Sequence, residues 1–153
     1  MHLRQLIKCL RYEPVPSPEI LKYYYEKRNL SEIKKLMVIS KSYNQQYKRT
    51  CIPIYEEPDF TLKLIKWDKG AQTDIHRHDN KCSFLVLEGQ LFEHKHKCMG
   101  TELISSEYNP SDVGIVDKDD FHVVYNIDPN ESLSLHVYEN DILSSDVQSY
   151  IGG

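Results

Sequence analysis

From Tyr47 onward the chain changes period. Phe60, Leu62 and Leu64 alternate with Thr61 and Lys63, the two-residue repeat of a strand with one face turned inward. Turn residues recur at short intervals: Glu57-Pro58-Asp59, Asp68-Lys69-Gly70, Asn109-Pro110-Ser111 and Asp128-Pro129-Asn130. Around them the pattern predicts strands over 51–55, 60–67, 73–78, 82–88, 91–98, 101–107, 113–116, 121–126 and 132–138. Many short strands at this spacing point to an antiparallel sandwich or a small barrel.

The first third of the chain follows the other period. Leu3, Leu6, Ile7 and Leu10 recur at helical spacing, so 2–11 reads as an amphipathic helix that Pro14, Pro16 and Pro18 interrupt. Ser17-Pro18 reads as an N-cap and first helical position for a second helix to about Arg28. Tyr23, Tyr24 and Tyr25 read as packing residues, although three adjacent positions cannot share one helix face. Ser31 is the expected cap of a third helix through Leu36 and Ile39, and Ser42-Tyr43-Asn44 ends the helical part. The chain of 153 residues is thus expected to form a single domain. Residues 1–45 form a helical segment packed on the β-domain, 46–140 form that domain, and 141–153 form a tail.

Charge follows the same division. Residues 1–50 carry 11 Lys and Arg against 4 Asp and Glu, and residues 51–153 carry 8 against 19. The basic residues lie on helices and match no nucleic-acid-binding motif, so they are expected to lie near the acidic β-domain rather than on nucleic acid. No apolar run is long enough to span a bilayer. The first fifteen residues lack a secretory leader, so a cytoplasmic protein is expected. Cys9, Cys51, Cys82 and Cys98 show no Cys-x-x-Cys spacing and read as reduced thiols, mostly buried.

Candidate chemistry concentrates between Gly70 and Gly89. His76 and His78 stand two apart in a predicted strand, so both imidazoles face one way and Arg77 faces the other. Two imidazoles on one face make half of a metal site, and His122, just before a later strand, is the candidate third ligand. Imidazole suits iron, zinc, copper and nickel alike. A second His-x-His lies in Glu93, His94, His96 and Cys98, but Lys95 and Lys97 alternate with it, and it reads as a solvated strand face. Ser134, His136 and Tyr138 fall at i, i+2 and i+4 on one side of a strand, where hydroxyl, imidazole and phenol can form a relay.

The spacing of Gly70, His76, His78 and Gly89, and of His122 and Asn126, resembles the two motifs of the cupin family. The Pro-x-Gly that usually precedes the second-motif histidine is replaced by Asp117, Lys118 and Asp119. Cys82 stands where the ligand Glu would be, which leaves three neutral imidazoles around a divalent cation. That departure resembles cysteine dioxygenase, a thiol-dioxygenase branch of the cupins. Tyr47-Lys48-Arg49-Thr50, Leu64 to Gly70, Cys82, and Ser134 to Tyr138 all resemble segments of that branch.

The resemblance implies a mainly β, cupin-type small antiparallel β-barrel, jelly-roll-like, behind a short N-terminal helical segment. It implies Fe(2+) held by His76, His78 and His122, with Arg49 and Tyr47 binding the carboxylate of L-cysteine. Tyr138, oriented by Ser134 and His136, would position substrate and O2, and Cys82 would become thioether-linked to it. The product would be cysteine sulfinic acid. The implied partners are a small thiol and O2, with no nucleic acid or membrane, and the chain is expected to be a monomer. A dioxygenase for another thiol such as 3-mercaptopropionate, and a non-catalytic metal- or ligand-binding cupin, are the alternative readings.

Overall fold

The computed structural model describes residues 1–13, 17–38, 42–97 and 102–140. Pro14, Pro16, Ile39, Cys98 and the tail 141–153 lie outside the described residues.

Three helices come first: α1 (Leu3–Arg11), α2 (Pro18–Lys27) and α3 (Leu30–Leu36). Pro18 opens α2 as expected, but the Ser17 side chain does not cap it. The cap of α3 is Asn29, not Ser31: its Oδ1 accepts from the Glu32 backbone N–H at 3.0 Å. Asn29 suits the role because the short amide reaches the orphan N–H groups of the first turn. Glu32 then reaches across and accepts from the Leu3 N–H at 2.6 Å, which ties α3 to the start of α1. Tyr24 is fully buried, Tyr25 packs beside the core and Tyr23 is exposed, as one helix face requires.

Ten strands follow: β1 (Ser42–Asn44), β2 (Arg49–Glu56), β3 (Phe60–Trp67), β4 (His76–Arg77), β5 (Cys82–Glu88), β6 (Leu91–His96), β7 (Leu103–Tyr108), β8 (Val113–Val116), β9 (Phe121–Asn126) and β10 (Ser132–Glu139). They form a six-stranded sheet, β1-β2-β3-β10-β5-β8, and a four-stranded sheet, β4-β9-β6-β7. All pairings between them are antiparallel. The sheets pack face to face, and among the described residues they do not close into one continuous barrel.

Alternation along the central strands sorts the core into two layers. Leu62, Leu64, Leu85, Leu135 and Val137 face Leu6, Leu10, Leu21 and Tyr24 of the helices. Ile65, Trp67, Phe84 and Val86 face Leu91 and Val124 of the small sheet. Both faces of β5 and β10 are therefore buried. Each fully buried Leu contributes about 2 kcal/mol by burial. Gly89 turns the chain between β5 and β6 with φ 81°, and a Cβ there would lie 2.1 Å from the Ser132 Oγ.

Two expectations change. Ser42–Asn44 is an edge strand paired to β2, because the four-residue turn 45–48 folds it back. The strand expected over 73–78 shrinks to His76–Arg77, with one bridge from Gln72 to Tyr125. Thr73 holds this segment instead: its N–H donates to the Val124 carbonyl at 3.0 Å and its Oγ1 accepts from the Val124 N–H at 3.1 Å. Cys9 and Cys51, expected to be buried, are only half-buried, and Cys82 is buried. No helix of the described residues is long and apolar enough to cross a membrane.

Candidate metal centre

His76 on β4 lies directly opposite His122 on β9, and His78 follows β4 by one residue. The Nε2 atoms of His76 and His122 are 3.0 Å apart, and those of His78 and His122 are 3.1 Å apart. All three ligand atoms lie within 4.8 Å of one another. Arg77, between the two histidines, is exposed and approaches Asp119 at 3.9 Å. The period-two reading of His-x-His therefore describes the side chains, although little of the segment is strand.

The other edge of two rings is occupied. His76 Nδ1 lies 2.8 Å from the Asp74 carbonyl, which can only accept, so this nitrogen carries the proton. His122 Nδ1 lies 2.8 Å from Glu93 Oε2, again an acceptor. When both rings are neutral with Nδ1 protonated, their bare Nε2 lone pairs face each other across 3.0 Å, a contact that a cation bound by both nitrogens would relieve. Two nitrogens at roughly 2.1 Å from one ion would stand about 3 Å apart when their bonds meet near a right angle. The donor set fits a divalent transition metal, in agreement with the ligand chemistry of imidazole.

Burial and charge repulsion favour the neutral form of His76 and His78. Desolvation first, and the His122 charge second, lower the His76 pKa to about 4. The same causes lower that of His78 to about 2. Burial pushes the Glu93 carboxyl up. The hydrogen bond and charge of His122, the Lys95 ammonium and the Tyr108 hydroxyl outweigh it, and the net shift is downward.

The imidazoles form one wall of a small cavity that is partly open to solvent. Arg49, Cys82, Phe84, His136 and Tyr138 line the same cavity, with Val116 and Val124 among its apolar walls. Arg49 is 4% exposed, and its Cζ lies 5.0 Å from the Trp67 ring and 5.1 Å from the Tyr47 ring. Tyr47 does not share a strand face with Arg49. It sits in the 45–48 turn, Lys48 has φ 56°, and Tyr47 reaches Arg49 only through its ring.

Cys82 on β5 is directly opposite Tyr138 on β10. Burial first, and then the Cys82 sulfur, push the Tyr138 phenol well above its usual range. The Ser134 Oγ lies 2.6 Å from His136 Nε2 and accepts from Trp67 Nε1 at 2.8 Å. Hydrogen bonds thus run from Trp67 through Ser134 to His136 and stop short of Tyr138, so among the described residues the expected relay from Ser134 to the Tyr138 hydroxyl is not completed. His136 then meets Tyr138 by ring stacking, with centroids 5.9 Å apart and planes 14° apart.

The solvated-face reading of 93–98 needs correction. His94 bonds Ser105 on the outer face and His96 is exposed, but Glu93 is 1% exposed and Lys95 is 9% exposed. The strand's phase contained the signal: Leu91, Glu93 and Lys95 share one face, and Leu91 marks it as the inward one. The departure at 117–119 also acquires a reason. Asp119 adopts φ 67°, the conformation that a glycine would favour, and its N–H donates to the His78 carbonyl at 3.1 Å.

No protein-family model matches this sequence, and no curated protein matches it either. Solved structures do match its shape. The cupin domain of Cnp3 from Schizosaccharomyces pombe superposes with a TM-score of 0.58 and 18% identity, over 71% of this chain and 73% of that one. The chain has a cupin fold. An RmlC-like cupin from Shewanella frigidimarina gives 0.55 and 15% identity, over 69% and 86% of the two chains. KdgF from a Halomonas species gives 0.56 and 15%, over 67% and 87%. These likenesses establish the fold, and the three histidines are a group that could hold a metal ion.

Proposed function

We propose that this cupin is an iron-dependent thiol dioxygenase converting L-cysteine and O2 to cysteine sulfinic acid. The observation that carries the reading is a buried guanidinium in the same cavity as three convergent imidazoles. Cys82 opposite Tyr138 on the same wall adds support.

Fe(II) held by His76, His78 and His122 supplies the redox chemistry that lets O2 react with a thiolate. The reaction balances without a further reductant: both oxygen atoms end on sulfur, and sulfur gives up the four electrons that O2 takes. The chain's own residues do the positioning. Arg49 offers a planar fork to the substrate carboxylate, a geometry that lysine lacks. Cation–π contacts with the Trp67 and Tyr47 rings help hold the guanidinium in place. Tyr138 holds its proton through burial and so offers a hydroxyl donor, not a phenolate, to the bound reactants. Val116, Val124 and Phe84 limit the space to a small substrate and displace water from it.

The protein, loaded anaerobically with Fe(II), is given air and L-cysteine, 3-mercaptopropionate or cysteamine while oxygen uptake is followed. Uptake is expected with L-cysteine, with stoichiometric sulfinate, and little with cysteamine, which has no carboxylate. Faster turnover of 3-mercaptopropionate would move the substrate to that thiol. No uptake with any thiol, at one bound iron per chain, would leave a binding protein and overturn the enzymatic reading.

A further inference from the structure

The carboxylate that the inner ligand set lacks is present one ring behind it. Glu93 Oε2 meets His122 Nδ1 at 2.8 Å, on the edge of the imidazole away from the converging Nε2 atoms. Glu93 therefore faces the back of a ligand and does not join the ligand group. Its other oxygen, Oε1, accepts from the Tyr108 hydroxyl at 3.0 Å and lies 3.7 Å from Lys95 Nζ. Lys95 in turn donates to the Ile115 carbonyl at 2.8 Å. Glu93, Lys95 and Tyr108 come from the two neighbouring strands β6 and β7, and both charged groups are nearly inaccessible. A buried ion pair of this kind is weak as a source of stability, because desolvation offsets the attraction.

We propose that Glu93 is a positioning residue of the metal centre, its carboxylate locking His122 in the Nδ1–H tautomer so that the Nε2 lone pair always faces the cation. Lys95 balances the carboxylate's charge, and the Tyr108 hydroxyl donates to the oxygen that faces away from His122. The anionic acceptor also makes the His122 ring a stronger donor toward the metal. His78 serves as the internal contrast, since among the described residues its buried Nδ1 has no hydrogen-bond partner.

The proposal rests on the metal-binding part of the reading above and not on thiol turnover, so its test uses iron alone. Fe(II) affinity of the metal-free full chain is measured by chelator competition under argon for wild type, Glu93→Gln and Tyr108→Phe. Nitrogen-15 NMR of the metal-free wild type reads the His122 tautomer. The expected results are a 10- to 100-fold affinity loss in Glu93→Gln, little change in Tyr108→Phe, and a proton on His122 Nδ1. A loss below fivefold in Glu93→Gln, an equal loss in Tyr108→Phe, or a proton on His122 Nε2 would each overturn it. If Glu93→Gln does not fold, the wild-type tautomer decides. Iron binding with no thiol turnover would sink the dioxygenase and leave this inference standing.

Discussion

Cys82 and Tyr138 are cross-strand partners in the register of β5 with β10, and both line the cavity of the three imidazoles. Directly opposed residues of an antiparallel pair have Cβ atoms about 5 Å apart and project to the same side. A sulfur and a phenol ring held so can be joined by a two-electron oxidation in which O2, the co-substrate of the proposed reaction, takes the two hydrogens. Intact-protein mass is expected to fall by about 2 Da during turnover with iron and cysteine, and Cys82→Ser is expected to abolish the change. A constant mass, with Cys82 still alkylated in denaturant, would reject the bond.

Arg49 separates charge from shape. Arg49→Lys retains a cation but loses the fork and its stacking on Trp67. A charge-assisted hydrogen bond contributes about 1.5–3 kcal/mol, so kcat/KM for L-cysteine is expected to fall about 10- to 100-fold. Oxygen uptake against cysteine concentration measures it. The change should lie mainly in KM, and an unchanged value would remove Arg49 from the substrate site.

Removing different ligands should cost different amounts of stability. His122→Ala takes one hydrogen-bond partner from the buried Glu93 carboxylate, which keeps Tyr108 and Lys95, and a buried acceptor left short in this way costs about 1–3 kcal/mol. His78→Ala strands no carboxylate: among the described residues its Nδ1 has no hydrogen-bond partner, and its Nε2 meets the His122 ring. Urea midpoints of the metal-free variants should therefore place His122→Ala well below His78→Ala. The reverse order would contradict the hydrogen bonding described for the site.

The metal-free protein should weaken in mild acid. Folded His76 takes up its proton only near pH 4, whereas the unfolded chain does so near 6.5. The unfolded state therefore holds more protons between those values. Stability present above pH 6.5 should be lost as pH falls through the window, by about 1.4 kcal/mol per pH unit for each such histidine. His78 and His136, both lowered by burial first, act in the same direction. Glu93, lowered from 4.5, adds a further loss below that pH. Denaturant midpoints from pH 8 to pH 4 test the slope, and a flat profile would contradict neutral buried rings.

Asp119 carries a backbone conformation that glycine adopts more easily. Asp119→Gly is expected to raise the thermal midpoint by an amount worth up to about 1 kcal/mol, because relief of the side chain outweighs the greater freedom of the unfolded chain. The exposed Arg77–Asp119 pair at 3.9 Å contributes little against this. A lower midpoint would show that the Asp119 side chain supports the turn.

Local alternation carried much of this protein in advance. The phase of Phe60, Leu62 and Leu64 set β3, and the i, i+2 placement of His76 and His78 set their common direction, because a strand's side chains alternate whatever it packs against. Phase does not say which face will be covered, so Glu93 and Lys95 read as solvated until β9 and β8 closed over them. Nor does it give a loop's curvature: Lys48 at φ 56° takes Tyr47 off the strand and returns its ring to Arg49. The antiparallel register of β4 with β9 brought His122 to His76 across 46 residues. That convergence is a long-range pairing, and no local window of the sequence contains it.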